Sequence, residues 1–259
     1  MTAAAALQVT GLARAFGGLK AIDNVTFTVP DGSLTAVIGP NGAGKTTVFN
    51  LVTNLFRPDA GEILFYGTSL IGRSPEEIAS LGLIRTFQTA RVFPGMTVLE
   101  NALAGAHLKV HSGLFQQMLW LPSARREERL LTAEADQLLD LVGLSGFRNA
   151  AGTDLPMGGQ KLLEVVRALM AHPRLLLLDE PAAGLNDTET EDLAELLSAV
   201  RAAGITVIVV EHNMSLVMSI SDQVVVLDAG AIAASGSPAE IQKDARVIAA
   251  YVGHGTVAV

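Results

Sequence analysis

Gly39-Pro40-Asn41-Gly42-Ala43-Gly44-Lys45-Thr46-Thr47 stands between an apolar run, Leu34-Thr35-Ala36-Val37-Ile38, and a segment of helical character, Val48-Phe49-Asn50-Leu51-Val52. The G-x-x-x-x-G-K-[ST] pattern thus falls in the setting its chemistry needs: strand, glycine loop, helix. Gly42 and Gly44 open backbone angles closed to other residues, so successive N–H groups can point at one anion. The helix that follows adds partial positive charge at its N-terminus, a seat for phosphate. In that arrangement Lys45 reaches the β- and γ-phosphates of a nucleoside triphosphate, and the Thr46 hydroxyl binds Mg²⁺. A glycine turn without function would not demand a strand before it and a helix after it. The stretch implies a nucleoside-triphosphate site on an α/β fold.

Upstream, Val25-Thr26-Phe27-Thr28-Val29 alternates, and Pro30-Asp31-Gly32-Ser33 reads as the turn into the strand before the loop. Downstream, Arg57-Pro58-Asp59-Ala60-Gly61 breaks the chain before a strand, Glu62 to Tyr66. Ser74-Pro75-Glu76-Glu77 then starts a short helix, with a capping serine and proline at its first position. From about Thr97 to Gly143 the pattern turns helical, with Leu130, Leu131, Leu138, Leu139 and Val142 at helical spacing. This block reads as a helical insertion, and its charged run Arg125 to Arg129 as a solvated face. The α/β pattern resumes with a helix from Gly159 to Met170 and strands at Arg174 to Asp179, Ile205 to Val210 and Val224 to Leu227. Glu189 to Val200 is an amphipathic helix between them. Continuous rather than alternating apolar strands indicate a sheet covered on both faces, hence parallel.

Leu175-Leu176-Leu177-Leu178-Asp179-Glu180-Pro181 is the second chemical constellation. A hydrophobic strand ending in a carboxylate is expected to bring Asp179 beside the glycine loop, where it can hold Mg²⁺ through water. Glu180, one step beyond, suits a general base for the attacking water. Taken alone, the same strand could equally end in a surface acidic pair; the glycine loop tips the reading toward catalysis.

Composition bounds the rest. The chain of 259 residues can bury a sizeable core. Acidic residues outnumber basic ones, 26 to 18, for a net charge of −8, which argues against nucleic acid as a partner. The chain has no cysteine, which excludes disulfides and thiolate metal sites and points to a reducing compartment. No apolar run approaches the roughly 18 residues of a bilayer span. The start, Met1 to Arg14, lacks a basic n-region, so no signal peptide is expected.

In these motifs and their order the sequence resembles the ATP-binding subunits of ABC transporters over nearly its whole length. Gly39 to Thr46 corresponds to the Walker A loop, Leu175 to Asp179 to the Walker B strand, and Glu180 to the catalytic glutamate. Gln88, in IRTFQ, matches the Q-loop glutamine that contacts Mg²⁺ and water and senses the membrane subunits. Ala183-Gly184-Leu185-Asn186 resembles the D-loop, and His212, in VVEHNM, the switch histidine at the γ-phosphate. Phe16 falls at the aromatic position that stacks on adenine; by chemistry alone it is equally readable as core. Where the family has LSGGQ as its signature loop, this chain has Leu155-Pro156-Met157-Gly158-Gly159. Leu155 and Gly158 survive, but the serine hydroxyl, a γ-phosphate donor, is replaced by Pro156, which has no backbone N–H either.

FGGLKAIDNV, the stretch IRTFQTARVFPGMTVLENALAGAH and the tail GSPAEIQKDARVIAAYVG are similar to one subgroup, the ATP-binding subunits of bacterial branched-chain amino acid importers. Relatives there also serve urea, amides or aromatic acids. The resemblance implies a P-loop NTPase with a RecA-like core, an antiparallel β subdomain and an inserted α-helical subdomain. The core and β subdomain would take residues 1–88 and 158–235, the helical subdomain 89–157, and a helical tail 236–259. It further implies ATP and Mg²⁺ as ligands and a second ATPase subunit in a heterodimer. Two permeases and, indirectly, a periplasmic solute-binding protein complete the implied assembly, with this chain peripheral on the cytoplasmic face of the inner membrane. ABC ATPases acting on DNA or ribosomes carry coiled-coil or zinc insertions, or paired ATPase halves, that this sequence lacks.

Overall fold

In the computed structural model, residues 4–86, 92–108 and 122–247 are described. The chain opens with a hairpin of β1 (Ala5–Phe16) and β2 (Leu19–Pro30). Gly17 and Gly18, at φ 53° and 87°, form its two-residue turn; positive φ at both positions matches the twist of the paired strands. Next come β3 (Leu34–Ile38), α1 (Lys45–Val52), β4 (Ala60–Phe65), β5 (Thr68–Ser69), α2 (Pro75–Ser80) and β6 (Leu83–Arg85). The helical segment holds α3 (Val98–Leu103) and α4 (Pro122–Leu141). The α/β pattern returns with α5 (Met157–Leu169), β7 (Leu175–Asp179), α6 (Asp187–Ala202), β8 (Thr206–Val210) and α7 (Met214–Ile220). The hairpin β9 (Gln223–Asp228) and β10 (Ala231–Gly236) and the short α8 (Pro238–Ile241) follow.

The main sheet has the order β10-β9-β3-β8-β7-β6, parallel except for its edge strand β10, which the sequence does not flag as antiparallel. Its central strands are buried along their whole length, and consecutive residues point into different cores. On β7, Leu176 and Leu178 face one core while Leu175 and Leu177 face the other; on β8, Val207 and Val209 oppose Ile208 and Val210. This is the physical origin of the unbroken apolar runs.

One face is covered by α1 and by an antiparallel sheet of order β2-β1-β4-β5. The other carries α5, α6 and α7. The inserted helices join that same core, Val98, Ala102, Ala135 and Leu139 packing with Leu162, Leu163 and Val166 of α5. Local chemistry sets the helix starts: α2, α3 and α6 each begin with a reciprocal capping box, Ser74 with Glu77, Thr97 with Glu100, and Asn186 with Glu189. Arg125, Arg126, Glu128 and Arg129 lie exposed on α4, the solvated face expected of that run. Among the described residues no helix is long and apolar enough to cross a membrane.

Candidate nucleotide site

The carboxyl ends of β3, β7 and β8 open on one edge of the main sheet, where the loops leaving them carry the residues singled out by sequence. Strand β8 lies between β3 and β7, so Asp179 approaches the glycine loop across one intervening strand, near enough for its charge to act on Lys45. Pairing across three strands, which sequence spacing does not encode, sets that order.

A cavity of about 470 Å³ sits over the loop, lined by Asn41 to Thr47, by Leu19, Lys20 and Ala21, by Ala229 and Gly230, and by Glu180. That size suits a small-molecule ligand. Gly39 and Gly44 are required as glycine: their φ values are 151° and 102°, and a β-carbon on Gly44 would meet Ile22 Cδ1 at 2.7 Å and the Ala21 carbonyl at 2.9 Å. The buried Lys45 folds back, its Nζ donating to the carbonyls of Gly39 at 2.7 Å and Pro40 at 3.0 Å. Burial lowers its pKa, while the charges of Glu180 and Asp179 oppose that shift. A cation so placed, held by two weak acceptors, is poised to take a stronger anionic one. Thr46 is exposed and lines the cavity.

Asp179 is nearly fully buried, and its Oδ2 accepts from Arg85 Nη2 at 2.9 Å. The same guanidinium donates through Nη1 to Asn50 Oδ1 at 2.7 Å and Thr53 Oγ1 at 3.2 Å, tying β6 and β7 to α1. Asp179 Oδ1 makes no hydrogen bond among the described residues. A buried, anionic, unsatisfied oxygen is the feature a hard cation or its water would satisfy, so this donor set fits Mg²⁺. Gln88 lies outside the described residues.

Glu180 adopts φ 49°, a left-handed conformation costing about 1–2 kcal/mol for a non-glycine residue. Its amide donates to the Val210 carbonyl at 2.9 Å, extending the β7–β8 ladder by one rung, and the residue lines the cavity. Lys161, buried on α5, donates from Nζ to the carbonyls of Glu180 and Ala183. Burial is the main cause of its lowered pKa, and Glu211 leads the charges that oppose it. Glu211 itself accepts from the amides of Ala182, His212 and Asn213. His212 is exposed past the end of β8 and does not line the cavity. Asn213 beside it caps α7, accepting from Leu216 N at 3.1 Å.

Phe16 ends β1 at 39% exposure, with Phe56 edge-on at 5.4 Å and the Arg14 guanidinium 4.9 Å from its ring centre. That exposure removes the core reading. At the signature position, Leu155 is buried, Pro156 is the N-cap of α5, and Met157 is 62% exposed. Gly158 is pressed against the Glu189 carboxylate, where a β-carbon would collide with it. Ala183 to Asn186, the stretch that resembles a D-loop, lie in the turn between β7 and α6, and Asn186 caps the helix.

Three residues of this edge, Arg85, Lys161 and Glu211, escape sequence reading. The available signal is a charged residue at the end of a buried strand, for Arg85 and Glu211, and a lysine on the apolar face of a helix, for Lys161.

Fold, glycine loop and buried carboxylate define a P-loop NTPase of the ATP-binding cassette class. The ABC transporter profile matches residues 22–183, and the chain belongs to that family: an ATP-binding, ATP-hydrolysing subunit coupled to transport. A second profile, the branched-chain amino acid ATP-binding cassette transporter, matches residues 231–256. Among curated relatives, the chain is 43% identical to the high-affinity branched-chain amino acid transport ATP-binding protein BraF of Pseudomonas aeruginosa, over 95% of this chain and 97% of that one. It is 42% identical to LivG of Escherichia coli, described in the same words, with the same coverage. Among solved structures, the ADP conformation of an ATP-binding cassette of an ABC transporter superposes with a TM-score of 0.83 at 31% identity, covering 96% of this chain and 99% of that one.

Proposed function

We propose that this chain powers a bacterial importer for branched-chain, hydrophobic amino acids, seated on the cytoplasmic face of the inner membrane. The observation that carries the solute class is the match of residues 231–256 to the branched-chain amino acid transporter profile, alongside the 42–43% identity of relatives so named. Its partners would be a second ATPase subunit, two permeases and, indirectly, a periplasmic solute-binding protein; nucleic acid has no part. The helical segment, residues 89–157, would act as the moving subdomain between the core segments 1–88 and 158–235, followed by the tail 236–259.

In this reading the loop amides from Asn41 to Thr47 and the Lys45 ammonium hold the phosphates, which exchanges Lys45's two carbonyl acceptors for charged ones. Phe16 stacks on adenine. Thr46, Asp179 and Gln88 would hold Mg²⁺, partly through water, and the ion would neutralise charge developing on the phosphate oxygens. The Glu180 carboxylate takes a proton from the attacking water, and His212 supports the γ-phosphate once the loops close. The lid over that phosphate comes from the partner's signature loop, as this chain's Leu155 and Gly158 would serve the partner's site.

Glu180→Gln tests the assignment. The amide keeps the shape but cannot accept the proton, so ATP affinity should hold while turnover and cellular leucine, isoleucine and valine uptake collapse together. Normal turnover would remove Glu180 from its role. Lost turnover with undiminished uptake of all three would remove the solute class.

A further inference from the structure

The buried carboxylate of Glu211 is fully enclosed, immediately before His212. Its two oxygens serve two different turns. Oε1 accepts from the Ala182 amide at 2.7 Å, in the turn that leaves β7 just after Glu180 and leads into the D-loop. Oε2 accepts from the amides of His212 at 3.0 Å and Asn213 at 3.3 Å, in the turn that leaves β8. The Glu180 amide already bonds the Val210 carbonyl, so the carboxylate continues the β7–β8 connection beyond the last rung of the sheet. On the far side, Lys161 grips the Glu180 and Ala183 carbonyls of the same turn from α5.

Both carboxyl oxygens of Glu211 meet N–H donors, three backbone amides from two turns. A buried side chain satisfied in this way by backbone amides is held in one geometry and transmits displacement of one partner to the other.

We propose that Glu211 is a positioning residue for ATP hydrolysis: it clamps the turn carrying Glu180 to the turn carrying His212, so that both groups reach one phosphate in register. This rests on the reading that Glu180 and His212 act together on the transferring phosphoryl. It also makes the D-loop a lever on His212, because a shift of Ala182 pulls the carboxylate that holds the His212 amide.

The test is a double-mutant cycle on the full chain, at concentrations where turnover per subunit has reached its plateau. Glu211→Gln presents an NH₂ to one of the two turns and releases it. ATP affinity is expected to stay within about twofold of the parent while turnover falls at least tenfold. Adding His212→Ala to Glu211→Gln should then cost less than about threefold more, although His212→Ala alone is severe, since both remove the same contribution. Full turnover in Glu211→Gln, or losses that multiply in the double variant, would overturn the clamp and leave His212 in its role. Full turnover in His212→Ala would instead overturn the underlying reading of His212, and the clamp with it. Should Glu211→Gln fail to fold, Lys161→Met loosens the same turn from the helix side. The same non-multiplying loss with His212→Ala supports the clamp; multiplying losses refute it.

Discussion

Replacing Arg85 by methionine keeps the length of the side chain and removes its charge. Arg85 and Asp179 are 9% and 3% exposed, so the pair is buried on both sides. Removing one member of a buried pair costs about 3–5 kcal/mol, because the remaining charge loses its partner without regaining water. Two features trim the loss toward the lower bound. Asp179 Oδ1 and Arg85 Nε already lack partners, so part of the penalty is present in the parent. Thr53 keeps a second bond, donating to the Phe49 carbonyl at 2.8 Å. At about 3 kcal/mol, and roughly 2–4 °C per kcal/mol for a chain of this size, melting should drop by about 6–12 °C. Differential scanning calorimetry of both proteins measures it. If Asp179 holds Mg²⁺ in the nucleotide complex, ATP with Mg²⁺ narrows the gap and ATP with EDTA does not. A drop below about 2 °C would refute the energetic account of the pair, and a gap that ignores Mg²⁺ would refute the metal assignment of Asp179.

Phe16→Ala should weaken ATP binding by about 1 kcal/mol, roughly fivefold, while Phe16→Tyr and Phe16→Trp bind as the parent does; equal loss of thermal stability in all three would show a packing role instead. Pro156→Ser places a favoured N-cap residue before α5 and restores a phosphate donor. One such bond is worth about 1.5–3 kcal/mol, so homodimer turnover should rise about ten- to a hundredfold. Unchanged turnover would discount the serine argument. Hydrogen bonds from Thr97 hold the Glu100 carboxylate below its usual pKa, so its contribution is full above the ordinary glutamate value and fades as pH falls through the depressed folded value. The melting difference between parent and Glu100→Gln should therefore shrink between pH 6 and pH 3 in calorimetric scans; a constant difference would refute the capping assignment.

What the sequence determined by itself is chemistry that contiguous residues carry. The glycine loop needs its backbone N–H groups in succession, so Gly39 to Thr47 is readable as one word. The unbroken apolar runs of β3, β7 and β8 report burial on both faces, because adjacent residues along a strand point into opposite cores. Capping at Ser74 is likewise a local matter of three residues and a proline. The tertiary structure alone decided the strand order that puts β8 between β3 and β7, and the antiparallel edge made by β10. It alone joined Arg85 to Asp179, 94 residues apart, and hung the Glu180 and His212 turns on the Glu211 carboxylate. It also left Phe16 exposed, with Phe56 and Arg14 against it, an outcome that no spacing encodes. The reason is the same in each case. A hydrogen bond or ion pair between distant strands depends on which elements share a core, and that is settled only when the whole chain has buried its apolar surface.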